Sequence, residues 1–207
     1  MGLTVARLAE AGLVGLMVAN TPAAMAPAGG RRALLGTNPI ACAFPMTGAD
    51  PVVIDLSLST VARGRIVQAR ARGEPIPEGW ALDAAGAPTT DPEAALAGTL
   101  LPLGGAKGAA LALMVEALAA GLTGARYAFE ASSFLDAEGG PPATGQMLLA
   151  IDARATGGDL RHLDALFAAI AAEPGVRLPG QRRRAARRRA EAEGIEVPET
   201  LLRDAVR

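Results

Sequence analysis

Three places along the chain hold residue types whose spacing could do chemistry. The segment Leu101-Pro102-Leu103-Gly104-Gly105-Ala106-Lys107-Gly108 is a glycine-rich turn that carries a cation into a helix. Backbone N–H groups at such a helix start are free to meet an anion, and the helix dipole adds partial positive charge. Contact with a phosphate or cofactor is therefore expected there; alternatively, Gly104 and Gly105 only make the turn. It is not a Walker loop, since the GxxxxGK[ST] spacing is absent and no Ser or Thr follows Lys107. Lys107 is also set apart by composition, because every other one of the 20 basic residues is arginine. A compact ammonium is thus wanted here in preference to a planar guanidinium, or one lysine sits on a loop by chance.

Asp55 is the second place. It follows Val52, Val53 and Ile54 at the end of a buried-looking strand and precedes Ser57, Ser59 and Thr60, and a carboxylate so placed must be solvated, paired or working. Helix N-capping is an innocent alternative, although Ser59 or Thr60 would serve a helix beginning near Val61. The third is the run Arg182, Arg183, Arg184, Arg187, Arg188 and Arg189. It could grip phosphate, but without interleaved aromatic residues it reads as a solvated helix face balanced by Glu191 and Glu193. Gly36-Thr37-Asn38-Pro39 reads as a structural turn closed by side-chain to backbone bonds, and His162 as a helix surface residue.

Composition narrows the classes. In 207 residues, 20 basic and 21 acidic side chains leave a net charge of -1, so no global positive field exists to hold nucleic acid or a membrane surface. A single cysteine, Cys42, and a single histidine exclude an internal disulfide, a CxxC redox pair, a cysteine-based zinc site and a multi-histidine metal site. This suits a reducing cytoplasm. The N-terminal apolar run Gly12–Ala19 resembles a secretory signal superficially, but Glu10 interrupts the approach. No run reaches the roughly 18 to 20 apolar residues that span a bilayer, and Ala109–Leu122 carries Glu116 in its middle.

The elements that must position these residues alternate between helix and strand signals, an α/β pattern of a mixed sheet flanked by helices. Strands are expected at Leu13–Val18, Ile40–Phe44, Val52–Leu56 and Gln146–Ile151, each short, apolar and bounded by turn residues. The pattern Leu3, Val5, Leu8, Ala11 reads as a helix feeding the first strand. Further helices are expected at Thr60–Arg72, Gly108–Leu122, Leu160–Ala172 and Gln181–Glu193, the last closed by Gly194 as a left-handed cap and followed by a helix from Pro198. Gly73–Gly105 is rich in Gly, Pro, Asp and Thr and is expected to be a functional or packed irregular segment.

The order of motifs is more specific than any one of them. Gly12-Leu13-Val14-Gly15-Leu16, Asn20-Thr21, Ala26-Pro27-Ala28-Gly29-Gly30, Gly36-Thr37-Asn38-Pro39-Ile40-Ala41 and Ile54-Asp55 resemble the malate/L-lactate dehydrogenase family of nicotinamide-dependent oxidoreductases. The likeness continues through Ile76-Pro77-Glu78-Gly79-Trp80, Pro88-Thr89-Thr90-Asp91-Pro92, Leu101–Gly108 and Leu178-Pro179-Gly180, and so covers essentially the whole chain. Two departures are Ala109, where the family usually has an aromatic residue, and Ala28, where a bulky neighbour of Pro27 is usual.

The resemblance implies a non-Rossmann nicotinamide-binding fold, a typically cytoplasmic homodimer, and NAD or NADP as cofactor. It implies hydride transfer between the nicotinamide and a 2-hydroxy acid or a 2-oxo or imino acid. It also implies that Thr21, Asp55, Leu56, Ser57, Lys107 and the loop Pro179-Gly180-Gln181 touch the dinucleotide, with Asp55 as the catalytic candidate that orients the acid–base machinery. The family's catalytic histidine motifs and a substrate-binding arginine lie in an N-terminal segment expected to be missing here, and His162 matches neither motif. Residues 1–175 are accordingly expected to form a cofactor-binding α/β domain, and residues 176–207 a C-terminal loop and helices packing back on the body, in the family towards that N-terminal part. Alternatively the chain is an inactive remnant or split subunit that binds dinucleotide or a partner chain without turnover. Telling NADP from NAD needs a residue near the adenosine ribose; Phe44–Gly48 could contribute to it, but contains no arginine to accept a 2′-phosphate.

Overall fold

A computed structural model describes residues 1–136, 138–155, 157–197 and 199. Helix α1 (Gly2–Glu10) feeds β1 (Val14–Ala19), and β2 (Ile40–Phe44), β3 (Val52–Leu56) and α2 (Arg63–Arg72) follow. Short strands β4 (Ala81–Leu82), β5 (Pro88–Thr89) and β6 (Thr99–Leu100) surround α3 (Pro92–Ala97). Then α4 (Ala106–Glu116) runs into a π-helical turn at Ala117–Gly121, ahead of β7 (Gln146–Ile151), α5 (Leu160–Ala171) and α6 (Gln181–Glu193). Among the described residues the strands form a four-stranded sheet in the order β3-β2-β1-β7 and a three-stranded sheet in the order β5-β4-β6. The α/β class expected from the sequence is observed, with antiparallel pairing within both sheets.

Four expectations need correction. Helix α2 starts at Arg63 with Ala62 as its N-cap and no capping side chain; Ser59 instead donates its hydroxyl to the Val61 carbonyl at 2.7 Å, which spends it on the connecting loop. Gly73–Gly105 is only partly irregular, because two-residue strands pair there and Asp91 caps α3 through the N–H groups of Glu93 and Ala94, with Pro92 opening the helix. Helix α4 begins at Ala106, two residues before the expected Gly108. Gly194 has φ 80° and ψ -174°, a positive φ without the left-handed helical ψ. The helix expected from Pro198 lies outside the described residues.

Pleating assigns the sheet two faces. Ala41, Ala43 and Val53 point to one, where Val5, Ala6 and Ala9 of α1 cover them; small side chains there let helix and sheet approach. On the other face Val18 and Ile40 join a core with Met25, Leu35, Leu58, Ile66 and Val115. Full burial of Met25, Leu58 and Ile66 contributes about 1.5–3 kcal/mol each. At the far end of that face Val52 packs with Phe167 of α5 and with Leu178, and the Phe44 and Phe167 rings lie 5.8 Å apart. Strand β7 ends the sheet, and its Leu148, Leu149 and Ile151 stay half-exposed.

The loops that carry the candidate residues are tied through one polar knot. Glu116, the last residue of α4, is only 4% exposed. Its Oε1 accepts from Asn20 Nδ2 at 2.9 Å and from the Ala128 N–H at 2.7 Å, and its Oε2 accepts from Asn38 Nδ2 at 2.7 Å. Asn38 also donates to the Ala112 carbonyl at 2.8 Å and accepts from the Thr21 N–H at 3.3 Å. Asn20 donates to the Arg126 carbonyl at 2.9 Å and accepts from the Gly145 N–H at 2.7 Å. Every polar atom of the knot is used, which is what burial demands. Glu116→Ala strands three donors, so urea unfolding is expected to show a loss of about 3 kcal/mol; a loss below about 1 kcal/mol would show that other contacts hold these loops.

Candidate functional site

Thr21, Ser57 and Lys107 come from three segments that are hydrogen-bonded side by side. Thr21 Oγ1 accepts from the Thr37 N–H at 2.9 Å and lies 3.3 Å from Thr37 Oγ1. The Thr37 carbonyl accepts from the Leu58 N–H at 2.8 Å, and the Leu58 carbonyl from the Leu103 N–H at 2.8 Å. Thr60 N–H reaches the Leu101 carbonyl at 2.8 Å, so the turn before α4 runs alongside the residues that leave β3. Ser57 Oγ lies 3.3 Å from Ser59 Oγ. Gly104 and Gly105 hold φ at 66° and 65° with open space on their Cβ side, a conformation that favours glycine. Lys107 projects from the first turn of α4 as an exposed side chain. The first N–H groups of α4 have no acceptor within the helix, so an ammonium and unspent amides share one open ledge.

Asp55 and Pro179-Gly180-Gln181 occupy the edge of β3. The Val53 N–H donates to the Pro179 carbonyl at 3.4 Å. A Cβ on Gly180, whose φ is 87°, would sit 3.0 Å from the Val53 carbonyl oxygen, so a side chain there would push the loop off the strand. Asp55, 18% exposed, accepts from the Gly2 N–H at 3.0 Å and from Arg183 Nη1 at 2.9 Å. It shares the α1 face with Val53, while its neighbour Leu56 is 40% exposed on the opposite face. The sequence-expected residues therefore fall into two groups, one at the end of β3 and one along its edge, joined through Asp55-Leu56-Ser57.

The arginine run does more than face solvent. Helix α6 buries none of its residues and is held by charge: Arg183 on Asp55, Arg184 on Asp50 at 2.7 Å, and Arg188 also on Asp50. Only Arg187–Glu191, at 2.8 Å, matches the expected balance within the helix. Two cavities flank α6. One of about 490 Å³ lies against α1 and includes Arg7, Glu10 and Arg187; the other, about 350 Å³, lies against the turn between β2 and β3.

Sequence reasoning read Asn38 as a turn residue bonded to backbone, which holds, but missed its pairing with Glu116 and missed Asp50. A lone Glu inside an apolar helix is the signal that finds the pairing, whereas nothing local marks Asp50. His162 is exposed on α5, as expected. Burial pushes the Cys42 thiol up, against a lowering backbone hydrogen bond from Ala43, which makes it a poor nucleophile. Among the described residues no group of three His, Cys, Asp or Glu is placed to hold a metal, and no helix is long and apolar enough to cross a membrane.

The sequence profile of the malate/L-lactate dehydrogenase family matches residues 1–205. The (2R)-3-sulfolactate dehydrogenase (NADP(+)) of Chromohalobacter salexigens is 57% identical over 202 residues, covering 97% of this chain and 60% of that protein. The Δ1-pyrroline-2-carboxylate reductase of Pseudomonas fluorescens is 45% identical, covering 95% and 60%. The crystal structure of Δ1-piperideine-2-carboxylate reductase from Pseudomonas syringae pvar. tomato superposes with a TM-score of 0.90 at 39% identity, covering 98% of this chain and 62% of that one. Sulfolactate dehydrogenase from Methanocaldococcus jannaschii gives 0.83 at 33% identity, covering 97% and 59%. The chain thus spans about 60% of the length of the curated relatives it matches.

Slight burial raises the Asp50 carboxyl, but the hydrogen bonds and charges of Arg184 and Arg188 outweigh it and hold the group below its ordinary value. Its tie to α6 therefore contributes at neutral pH and is lost as pH falls through that lowered value. Amides of α6 are expected to exchange with deuterium several-fold faster in Asp50→Asn at neutral pH, with the difference closing in acid; equal protection at neutral pH would mean that other contacts hold the helix.

Proposed function

Because the chain belongs to the malate/L-lactate dehydrogenase family, we propose that it forms the cofactor-binding part of an NAD(P)-dependent oxidoreductase. Its substrates in this reading are 2-hydroxy acids and 2-oxo or cyclic imino acids. The observation that carries the reading is the convergence on β3 of Thr21, Ser57 and Lys107 at its end, and of Asp55 with Pro179-Gly180-Gln181 along its edge. The 57% identical sulfolactate dehydrogenase has NADP(+) in its name, which favours NADP over NAD.

These residues fit a dinucleotide. Gly104 and Gly105 have open space on their Cβ sides, Lys107 is exposed on the first turn that follows, and an ammonium beside free helix-start amides suits a pyrophosphate. Thr21 and Ser57 offer hydroxyls on the same ledge, and the half-exposed Leu56 offers an apolar surface for a ring. When bound, the nicotinamide supplies a hydride donor or acceptor at C4. Asp55, which accepts from the Gly2 N–H and from Arg183, is a positioning residue in this reading, because a carboxylate can hold an imidazole in one tautomer and stabilise its cationic form, and the family resemblance assigns it that role. Residues 1–175 supply the cofactor-binding body in this reading, and the segment from residue 176, of which a loop and α6 are described, packs back on it. The single half-buried Cys42 suits a reducing cytoplasm.

A second reading, dinucleotide binding without turnover until another chain docks, is favoured by one observation. Apart from Lys107 and the buried Glu116, α4 carries no charge, and its Leu111, Leu113 and Met114 lie exposed. A helix apolar on all sides belongs in an interior, so association as a homodimer or with a complementary subunit fits. Fluorescence titration with NADH and NADPH tests the cofactor reading. Saturable binding is expected, weakened about tenfold by Lys107→Ala through loss of a charged hydrogen bond; an unchanged dissociation constant would remove Lys107 from the site.

A further inference from the structure

The cavity of about 350 Å³ between the β2–β3 turn and α6 has a divided lining. Met46, Val52 and Leu178 give it apolar walls, while Arg184 and Arg188 meet Asp50 at its polar side. Pro179 and Gln181, two of the residues assigned above to the dinucleotide, also line it. Val52 is also the first residue of β3. From Val52 to Leu56 the strand rises about 13 Å, which separates this cavity from the Ser57–Lys107 ledge.

Charge decides what the polar side accepts. A ribose 2′-hydroxyl needs one acceptor such as an aspartate, whereas a 2′-phosphate needs a cation, commonly arginine. Here two guanidiniums share one carboxylate, so the trio keeps one positive charge in excess. Arg184 is only 21% exposed, and a partly desolvated guanidinium gives strong two-pronged bonds to phosphate oxygens. Asp50 holds both arginines in place before any ligand arrives, which lowers the cost of ordering them.

We propose that Arg184 and Arg188 read the 2′-phosphate of NADP(H), with Asp50 positioning both guanidiniums, so that this chain prefers NADP(H) to NAD(H). The inference rests on the reading that the chain binds a nicotinamide dinucleotide. It also accounts for the missing arginine in Phe44–Gly48: the cation comes from α6, on the other side of the same cavity.

The test is titration of the 207-residue chain with NADPH, NADH and 2′,5′-ADP, comparing Arg184→Gln, Arg188→Gln and Arg189→Gln. The parent is expected to bind NADPH about tenfold or more tighter than NADH. Arg184→Gln and Arg188→Gln should each shrink that ratio by weakening NADPH alone, and Arg189→Gln, on the same helix but outside the lining, should leave it unchanged. Arg188 is well exposed, so its variant keeps the fold and the comparison stands even if Arg184→Gln unfolds. A ratio near one in the parent, or one that survives the Arg188 change, overturns the inference and leaves the cofactor reading intact. Arginine-dependent binding of 2′,5′-ADP without binding of either dinucleotide overturns the cofactor reading and keeps a phosphate site; no binding of any of the three overturns both.

Discussion

Glu116 is a carboxylate taken out of water within an apolar helix, and donors from three distant segments converge on it. Burying such a group unpaired is so costly that Asn20, Asn38 and the Ala128 amide have little freedom about where they lie. Asn38 even takes a positive φ of 38°, which is uncommon outside glycine and is held by the three hydrogen bonds of its side-chain amide. From this one constraint the position of Thr21 follows through Asn38 Oδ1, that of Thr37 through Thr21, and that of the residues leaving β3 through Thr37. The ledge around Ser57 and Lys107 is thus a surface hung from a buried charge.

The edge and the start of β3 are held by other means. Helix α6 has no apolar face to bury, and its arginines reach carboxylates on the sheet edge and the β2–β3 turn. Exposed ion pairs hold an element loosely and weaken with salt, so α6 belongs to the part of the fold that opens first. A loosely held helix bordering two cavities suits a place where a ligand must enter, while the knot around Glu116 keeps the far end of β3 fixed.

Much of this was legible in the sequence, for identifiable reasons. The limits of β2, β3, β7 and α6 coincide with those expected because each is an uninterrupted run closed by glycine, proline or polar residues. The small sheet of β4, β5 and β6 was not legible, since two-residue strands are too short to show a period. Asp50 could not be found either: its partners lie more than a hundred residues away, and ion pairs between remote segments leave no local trace. Nothing in the motif order revealed that Asp55 would meet Arg183. Glu116 was visible as an interruption of an apolar run, and its meaning emerged only with the donors around it.

Strand β7 has a free edge among the described residues and leaves Leu148, Leu149 and Ile151 half-exposed on its two faces. It carries none of the charges or prolines that usually protect such an edge. Any strand that pairs there, from another copy or another chain, binds the folded state and not the unfolded one. By mass action the melting temperature then rises with protein concentration, and it ceases to be a constant that a single chain possesses by itself.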